Sequence, residues 1–161
     1  MATGSITPKE GYELVLTRVF DALRELVFKA WTDPKIVAQW WGPHRFTNPV
    51  CELDARPGGA MRIHMRGPDG TVYPMTGNYQ EIVEPERIVF TSAALDAAGN
   101  PMFEMLTTVT FAEQGRKTKQ ILRTRVIKST AEAARYLAGM EVGWTQSLER
   151  LTACLAEHSK E

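Results

Sequence analysis

The three histidines are the first residues to consider, because histidine is the commonest acid–base group near neutral pH and a frequent metal ligand. His44, His64 and His158 stand far apart and form neither an HxxxH nor an HExxH pair. The sequence also contains no GxSxG nucleophile elbow, no phosphate-binding loop and no dinucleotide-binding glycine pattern. We therefore predict no metal site and no cofactor, and the motifs assign no catalytic residue.

A weaker enzymatic interpretation depends on charged side chains whose orientation the sequence leaves open. His44 follows a pair of tryptophans in a predicted loop, where it is either an acid–base group or, as we favour, a solvent-facing residue. Glu104, Arg123 and Arg125 would mark a buried site if their strands turned them inward. The alternation of apolar and polar residues in sheets favours the outward orientation for all three.

Large apolar side chains indicate a different chemistry, the binding of an apolar molecule. Every methionine except Met1 falls in a predicted strand or in the predicted C-terminal helix, and flexible thioethers suit an adaptable binding surface as well as a core. Gly143 costs a helix up to about 1 kcal/mol relative to alanine, which either close packing or a ligand beside Trp144 would explain. The cavity candidates are Trp40, Trp41, Phe46, Met61, Ile63, Met65, Met75, Tyr79, Phe90, Met105, Met140, Gly143 and Trp144.

Two short helices follow the first predicted strand. Residues 12–20 alternate and are rich in β-formers, which predicts that strand. Asp21 then stands in an N-cap position before apolar residues at helical spacing. Asp33, with proline directly after it, is typical of the start of a second helix, which should end after Trp40-Trp41. We expect this pair to place one ring in the core and the other at a pocket mouth.

Residues 48–128 have the pattern of short strands separated by tight turns. Each run is rich in β-branched and aromatic residues and is bounded by Gly, Pro, Asn or Asp. Strands that follow one another through tight turns pair antiparallel. The predicted strands are 50–55, 60–66, 71–83, 87–94, 102–112 and 117–128. Both faces of strand 102–112 are apolar, so the sequence does not decide which face points inward.

The C-terminal element is a strongly amphipathic helix. Ser129 and Glu132 have the spacing of a capping box. Apolar residues then recur at steps of three and four, at Leu137, Met140, Trp144, Leu148, Leu151 and Leu155. This pattern predicts a helix of about 28 residues, roughly 40 Å long at a rise of about 1.5 Å per residue.

Together these elements predict an α+β domain in which a curved antiparallel sheet of six to seven strands wraps around the long C-terminal helix. A twisted sheet and a straight helix do not match along their whole length, and the mismatch leaves a cavity. We expect that cavity at the methionine-rich sheet face opposite Met140, Gly143 and Trp144, with a mouth near residues 40–46. A single domain, residues 12–158, follows a flexible arm at residues 1–11.

Composition narrows the class of protein. The chain has 161 residues, with 19 Lys plus Arg and 19 Asp plus Glu, and the resulting net charge of zero disfavours nucleic acid as a partner. Cys51 and Cys154 belong to no CxxC pair and are typical of free thiols in a reducing compartment. No N-terminal segment combines a basic start with an apolar run, so we expect no secretory signal, and no apolar run approaches the roughly 20 residues of a membrane span. We expect a cytoplasmic location.

Four ordered motifs resemble one known superfamily. They are FKAWTDP at 28–34 with WWGP at 40–43, RPGG at 56–59 with MRGPDG at 65–70, GNYQEIVEPERIVFT at 77–91, and GMEVGW at 139–144. From about Leu14 to Leu155 the chain is similar to the SRPBCC (START-like) superfamily, in the branch that resembles the C-terminal domain of the activator of the heat-shock-protein-90 ATPase. The resemblance implies a helix-grip fold with a deep hydrophobic cavity.

Three functions are compatible with this resemblance, because the superfamily includes lipid-transfer proteins, polyketide cyclases and ring-hydroxylase subunits. Binding of a small hydrophobic or amphipathic ligand, the function we favour, predicts a continuous apolar cavity of a few hundred Å³. A cofactor-independent enzyme of cyclase or hydrolase type predicts a convergent pair of buried ionisable groups. A co-chaperone-like interaction module predicts a filled interior and an exposed apolar patch.

Protein partners are less well defined by the sequence. A homodimer through a sheet edge or the long helix is compatible with each function. A chaperone is the least expected partner, because the separate N-terminal domain of the co-chaperone has no counterpart in these 161 residues.

Overall fold

The chain folds into one sheet that packs against helices on one side. A computed structural model of the protein describes residues 11–133 and 137–158. The elements are β1 (Glu13–Phe20), α1 (Arg24–Thr32), α2 (Pro34–Trp40), β2 (Thr47–Leu53), β3 (Ala60–Arg66), β4 (Val72–Val83), β5 (Arg87–Leu95), β6 (Pro101–Gln114), β7 (Lys117–Ser129), a 3₁₀ turn (Ala131–Ala133) and α3 (Met140–His158). The arm predicted at residues 1–11 lies, apart from Gly11, outside the described residues.

The seven strands form a single antiparallel sheet in the order β1-β7-β6-β5-β4-β3-β2. Strands β2 to β6 each pair with the next strand in sequence, and β1 pairs with β7, where Leu16 lies opposite Leu122. Register shifts occur between Tyr79 and Glu81 and between Glu104 and Met105, and bulges of this kind bend a sheet and increase its twist. The predicted antiparallel meander and the α+β helix-grip fold are confirmed.

Alternation along the strands directs apolar side chains to the helix side of the sheet. In β3, Met61 and Ile63 are buried while Arg62 is exposed, as the sequence predicts. In β6, the residues at odd positions from Met105 to Phe111 are buried, which identifies the inward face of the strand that the sequence left undecided.

The two short helices differ in how they begin. Asp33 is the N-cap of α2 and accepts a hydrogen bond from the Lys35 N–H at 2.9 Å, as predicted. The prediction that Asp21 caps α1 is wrong, because Leu23 occupies the N-cap and no side chain caps the helix. The Thr118 hydroxyl donates to the Ala22 carbonyl at 2.7 Å, which holds the chain against the sheet beyond Asp21 and delays the first turn.

Helix α3 is shorter than the sequence predicts. It has 19 residues and begins at Met140, and Ser129, where the sequence predicts its start, is the last residue of β7, paired with Phe103. The backbone N–H and the hydroxyl of Thr130 both donate to the Met102 carbonyl, so the chain stays on the sheet past the predicted start of the helix. The side chain of Glu132 and residues 134–136 lie outside the described part of the chain.

Two apolar clusters meet along α3. The larger one joins the sheet to both short helices and to Leu148 and Leu151 of α3. The smaller one contains Met105, Leu137 and Met140, and Trp144 packs against both clusters. None of the helices in the described residues is both long enough and apolar enough to cross a membrane.

Candidate ligand-binding site

A cavity of about 210 Å³, which we call the inner cavity, lies between the sheet, α3 and the loop after α2. For scale, an apolar cavity of roughly 150 Å³ accommodates benzene in an engineered protein. The sheet wall consists of Met65, Tyr73, Pro74, Met75, Ser92, Ala94, Phe103 and Met105, the helix wall of Leu137, Met140, Gly143, Trp144 and Ser147, and the roof of Trp41, Gly42 and Pro43.

The chemistry of the inner cavity is apolar and polarizable. Its walls carry four methionine and four aromatic side chains. Within the part of the chain that the structure describes, no acidic, basic or histidine side chain lines it. The side-chain hydroxyls of its lining belong to Tyr73, Ser92 and Ser147.

The space arises from a decrease in side-chain size along β5. Ile88 and Phe90 point inward and are almost fully buried, and the next two inward positions are Ser92 and Ala94. Ile88 and Phe90 fill the core, whereas the small side chains of Ser92 and Ala94 leave an open space between the sheet and α3. Neither residue was among the predicted site residues, although the change from large to small at alternate positions is visible in the sequence.

Gly143 provides the corresponding space on the helix side. Among the described residues, a Cβ atom built at this position would have Pro43 Cγ, at 3.9 Å, as its only neighbour within 4 Å outside the adjacent residues and the helix's own backbone. The glycine is therefore not required for close contact between α3 and the sheet. It faces open space in the inner cavity.

All four tryptophans of the chain form one cluster beside the cavity. The ring centroids of Trp41 and Trp144, which line it, are 5.3 Å apart, and the centroids of Trp31 and Trp40 are 4.8 Å apart. The Trp31 indole N–H donates to Gln120 Oε1 at 2.7 Å, and the Trp40 indole N–H donates to the carbonyl of Ala30 at 2.9 Å. The cluster places two anchored rings behind the two that contact the cavity.

Arg150 of α3 holds the roof in place. Its Nη1 atom donates to the carbonyls of Trp41, Gly42 and Pro43 at 2.9–3.0 Å, and Nη2 donates to that of Gln39 at 3.0 Å. These carbonyls are at the C-terminal end of α2, where a positive charge interacts favourably with the helix dipole. Partial burial lowers the pKa of Arg150.

Three further contacts join the roof to α3. The Gly42 N–H donates to the Ser147 hydroxyl at 3.0 Å, and the His44 N–H donates to Gln146 Oε1 at 3.1 Å. The His44 ring lies 3.1 Å from Glu149, with both side chains about half exposed. The roof is thus fixed by directional bonds along one face of α3.

A larger outer depression of about 1,020 Å³ adjoins the inner cavity. The two share six lining residues: Pro43, Met65, Tyr73, Pro74, Ala94 and Phe103. The outer depression also contains the side chains of His64, Thr71 and Asp96. It therefore forms a more polar approach to the apolar interior.

The structure brings seven of the thirteen predicted candidates together around the inner cavity. They are Trp41, Met65, Met75, Met105, Met140, Gly143 and Trp144. Phe46 lines the outer depression, close to the mouth expected near residues 40–46. Of the tryptophan pair, Trp40 is fully buried and Trp41 lines the cavity.

The other five candidates do not line the cavity. Trp40, Met61, Ile63, Tyr79 and Phe90 belong to the larger apolar cluster and are at most 4% exposed. Alternation identifies the face of a strand but not the position along it at which packing ends and open space begins. Phe103 on the sheet was missed for the same reason, and the loop residues Gly42 and Pro43 and the helix residue Ser147 were missed because only large apolar side chains and one glycine were selected.

The charged residues considered as catalytic groups lie on the surface, as favoured. Glu104 pairs with Lys128 at 3.7 Å, Arg123 pairs with Glu13 at 3.6 Å, and Arg125 is exposed. Burial raises the pKa of the Tyr79 hydroxyl, which has no hydrogen-bond partner among the described residues, but Tyr79 lies outside the cavity.

Metal-ligating side chains do not converge in the described chain. No group of three or more His, Cys, Asp or Glu residues there could hold a metal ion. Cys51 and Cys154 are both free, and burial raises the pKa of each thiol, that of Cys51 to about 11.

Comparisons with known proteins agree with this architecture. No curated protein is a significant match. A solved structure from Chromobacterium violaceum is 33% identical, with 89% of this chain and 96% of that chain covered and a TM-score of 0.74. The structure of the AHSA1 protein from Silicibacter pomeroyi is 27% identical, with 91% and 99% covered and a TM-score of 0.79. A family model described as Activator of Hsp90 ATPase homolog 1-like protein matches residues 21–156, and the chain belongs to this family.

Proposed function

We propose that this protein binds a small apolar or amphipathic molecule in the inner cavity. The observation that carries the proposal is a continuous cavity of about 210 Å³ whose lining, among the described residues, has no acidic, basic or histidine side chain. Ligand sites are typically concave and apolar, with a few polar groups that orient the ligand. The two free thiols are compatible with the reducing cytoplasm that we propose as its location.

The size of the cavity restricts the ligand. Sites for drug-sized molecules occupy about 300–1,000 Å³, so the inner cavity suits a smaller group such as one substituted aromatic ring or a short branched chain. The polar end of a longer, amphipathic ligand would extend into the outer depression, beside His64 and Asp96.

The two alternatives have less support. An enzyme of cyclase or hydrolase type needs polar groups that converge on a substrate. Near the roof, Arg150 is instead bonded to main-chain carbonyls, and His44 and Glu149 pair with each other at the surface. An interaction module predicts a filled interior, which is difficult to reconcile with the space beside Gly143.

Titration of the ¹⁵N-labelled protein with toluene tests the proposal. We expect the indole N–H signals of Trp41 and Trp144 to shift saturably, because both rings line the cavity. A dissociation constant on the order of 1 mM follows from roughly 0.6 kcal/mol for each of about seven heavy atoms. The signals of Trp31 and Trp40 should shift less, since their N–H groups are bonded to protein acceptors.

The variant Gly143→Leu tests the location of the site. A leucine side chain would enter the open space beside Pro43 and should abolish the saturable shifts while the protein remains folded. Val142→Leu is the matched control, because Val142 is 61% exposed on the same helix. Absence of saturable shifts in the wild type, or unchanged toluene binding in Gly143→Leu, would contradict the proposal.

A further inference from the structure

The wall of the inner cavity contains one serine whose hydroxyl is not used by the protein. Ser92 lines the cavity and makes no hydrogen bond through its side chain with any residue in the described ranges. Ser147 differs, because its hydroxyl accepts from the Gly42 N–H and donates to the Gly143 carbonyl, both at 3.0 Å. Ser92 is half-buried, so its hydroxyl is available to a ligand in the cavity as a hydrogen-bond donor or acceptor.

The sheet places no polar side chain directly beside Ser92 on the neighbouring strands. Its cross-strand neighbours are Gly77 on β4 and Met105 on β6. A Cβ atom at Gly77 would lie 2.2 Å from the Thr91 carbonyl oxygen, so this position accepts only glycine. Gly77 therefore supplies no side chain, and the apolar side chain of Met61, with Cγ 2.9 Å and Sδ 3.0 Å from that Cβ position, lies over it and offers no strong hydrogen-bond partner.

The surrounding wall favours a flat, polarizable molecule. Met75, Met105 and Met140 supply thioethers, which make favourable contacts with aromatic rings. Trp41 and Trp144 present aromatic rings, which stack or pack edge-to-face with other rings. A cavity volume of about 210 Å³ suits one substituted ring.

We propose that the inner cavity selects a small aromatic molecule carrying an oxygen substituent, such as a phenol or an aryl ketone, and that Ser92 forms a hydrogen bond with that oxygen. This inference rests on the proposed function, because it assigns a ligand class to the same cavity. Ser92 then determines specificity, while the methionine and tryptophan side chains supply most of the contact area.

Toluene and p-cresol form a matched pair of probes, because p-cresol is toluene with one added hydroxyl. Both dissociation constants are measured by the tryptophan indole signals in wild type and in Ser92→Ala. We expect the alanine variant to bind toluene within about twofold of wild type and to lose about three- to tenfold in affinity for p-cresol, as loss of one neutral hydrogen bond predicts. Thr91→Ala, on the opposite face of the same strand, should leave the ratio of the two affinities unchanged.

The possible outcomes separate this inference from the proposed function. If both probes bind, and the affinity for p-cresol relative to that for toluene falls only in Ser92→Ala, the assignment of Ser92 is supported. If both probes bind with the same ratio in wild type and Ser92→Ala, the assignment is wrong and the apolar site remains. If neither probe binds the wild type, the proposed function is wrong, and the assignment of Ser92 is wrong with it.

Discussion

The burial of Cys51 makes a direct prediction about its reactivity. Cys51 lies opposite Ile63 at the β2–β3 pair, and burial raises the pKa of its thiol from 9.0 to about 11. Only the thiolate is alkylated, so the folded protein at pH 8 should react with iodoacetamide at Cys51 about 100-fold more slowly than the urea-unfolded chain. Peptide mapping by mass spectrometry measures both rates, and a folded rate within about threefold of the unfolded one would contradict the burial.

The same pKa shift has a consequence for stability. The fold favours the neutral thiol, so the contribution of Cys51 is fully present below the unfolded pKa of 9.0 and is lost as the pH rises towards about 11. The raised pKa values of Cys154 and Tyr79 act in the same direction. We expect alkaline conditions, rather than mild acid, to weaken these parts of the core.

Individual site residues were only partly predictable, for a physical reason. The two-residue period of a strand correctly put Met61 and Met65 on one face, but only Met65 lines the cavity. Met61 packs over Gly77, its neighbour on β4, whereas Met65 lies beside the roof residue Gly42, and the period of the strand does not distinguish these two positions. Selecting only large apolar residues therefore found the walls and missed the small residues that create the cavity.

At the level of elements, Arg150 determines how the α2 C-terminus sits on α3. Its four hydrogen bonds to main-chain carbonyls predict that Arg150→Met destabilises the fold by about 1–3 kcal/mol, because several partly buried carbonyls lose a charged donor at once. Urea unfolding gives the free energy of unfolding. Amide hydrogen exchange should show faster exchange at the Gly42 N–H, which is bonded to Ser147.

Two further variants make the Arg150 prediction specific. Arg150→Lys keeps the charge but lacks the planar fork that spans Gln39 to Pro43, so its stability should be intermediate. Glu149→Gln removes only a half-exposed pair with His44 and should cost less than about 1 kcal/mol. Equal effects of Arg150→Met and Glu149→Gln would show that the guanidinium does not anchor the roof.

The ends of elements were harder to predict than the elements themselves. Periodicity located the strands and the apolar stripe of α3, but it extended the helix back to Ser129. The bonds from Thr130 to the Met102 carbonyl connect residues distant in sequence, and they keep the chain in the sheet. Local capping patterns do not include such tertiary bonds.

At the scale of the whole molecule, the cavity lies where two packed clusters meet at Trp144. The sequence predicted a sheet around a helix and the side of the sheet that faces it. The volume left between them was not predictable, because a cavity is the small difference between a large space and the side chains that fill it. Six of the thirteen candidates therefore lie outside the inner cavity even though the architecture is as predicted.

Contacts between a bound ligand and the methionine methyl groups test the central claim most directly. With ¹³C-methyl-methionine protein and toluene, we expect nuclear Overhauser effects to the methyls of Met65, Met75, Met105 and Met140, which line the cavity. Met61 is the internal control, because it is buried in the core outside the lining. Contacts confined to other methionines, or none at saturating toluene, would contradict a ligand site between the sheet and α3.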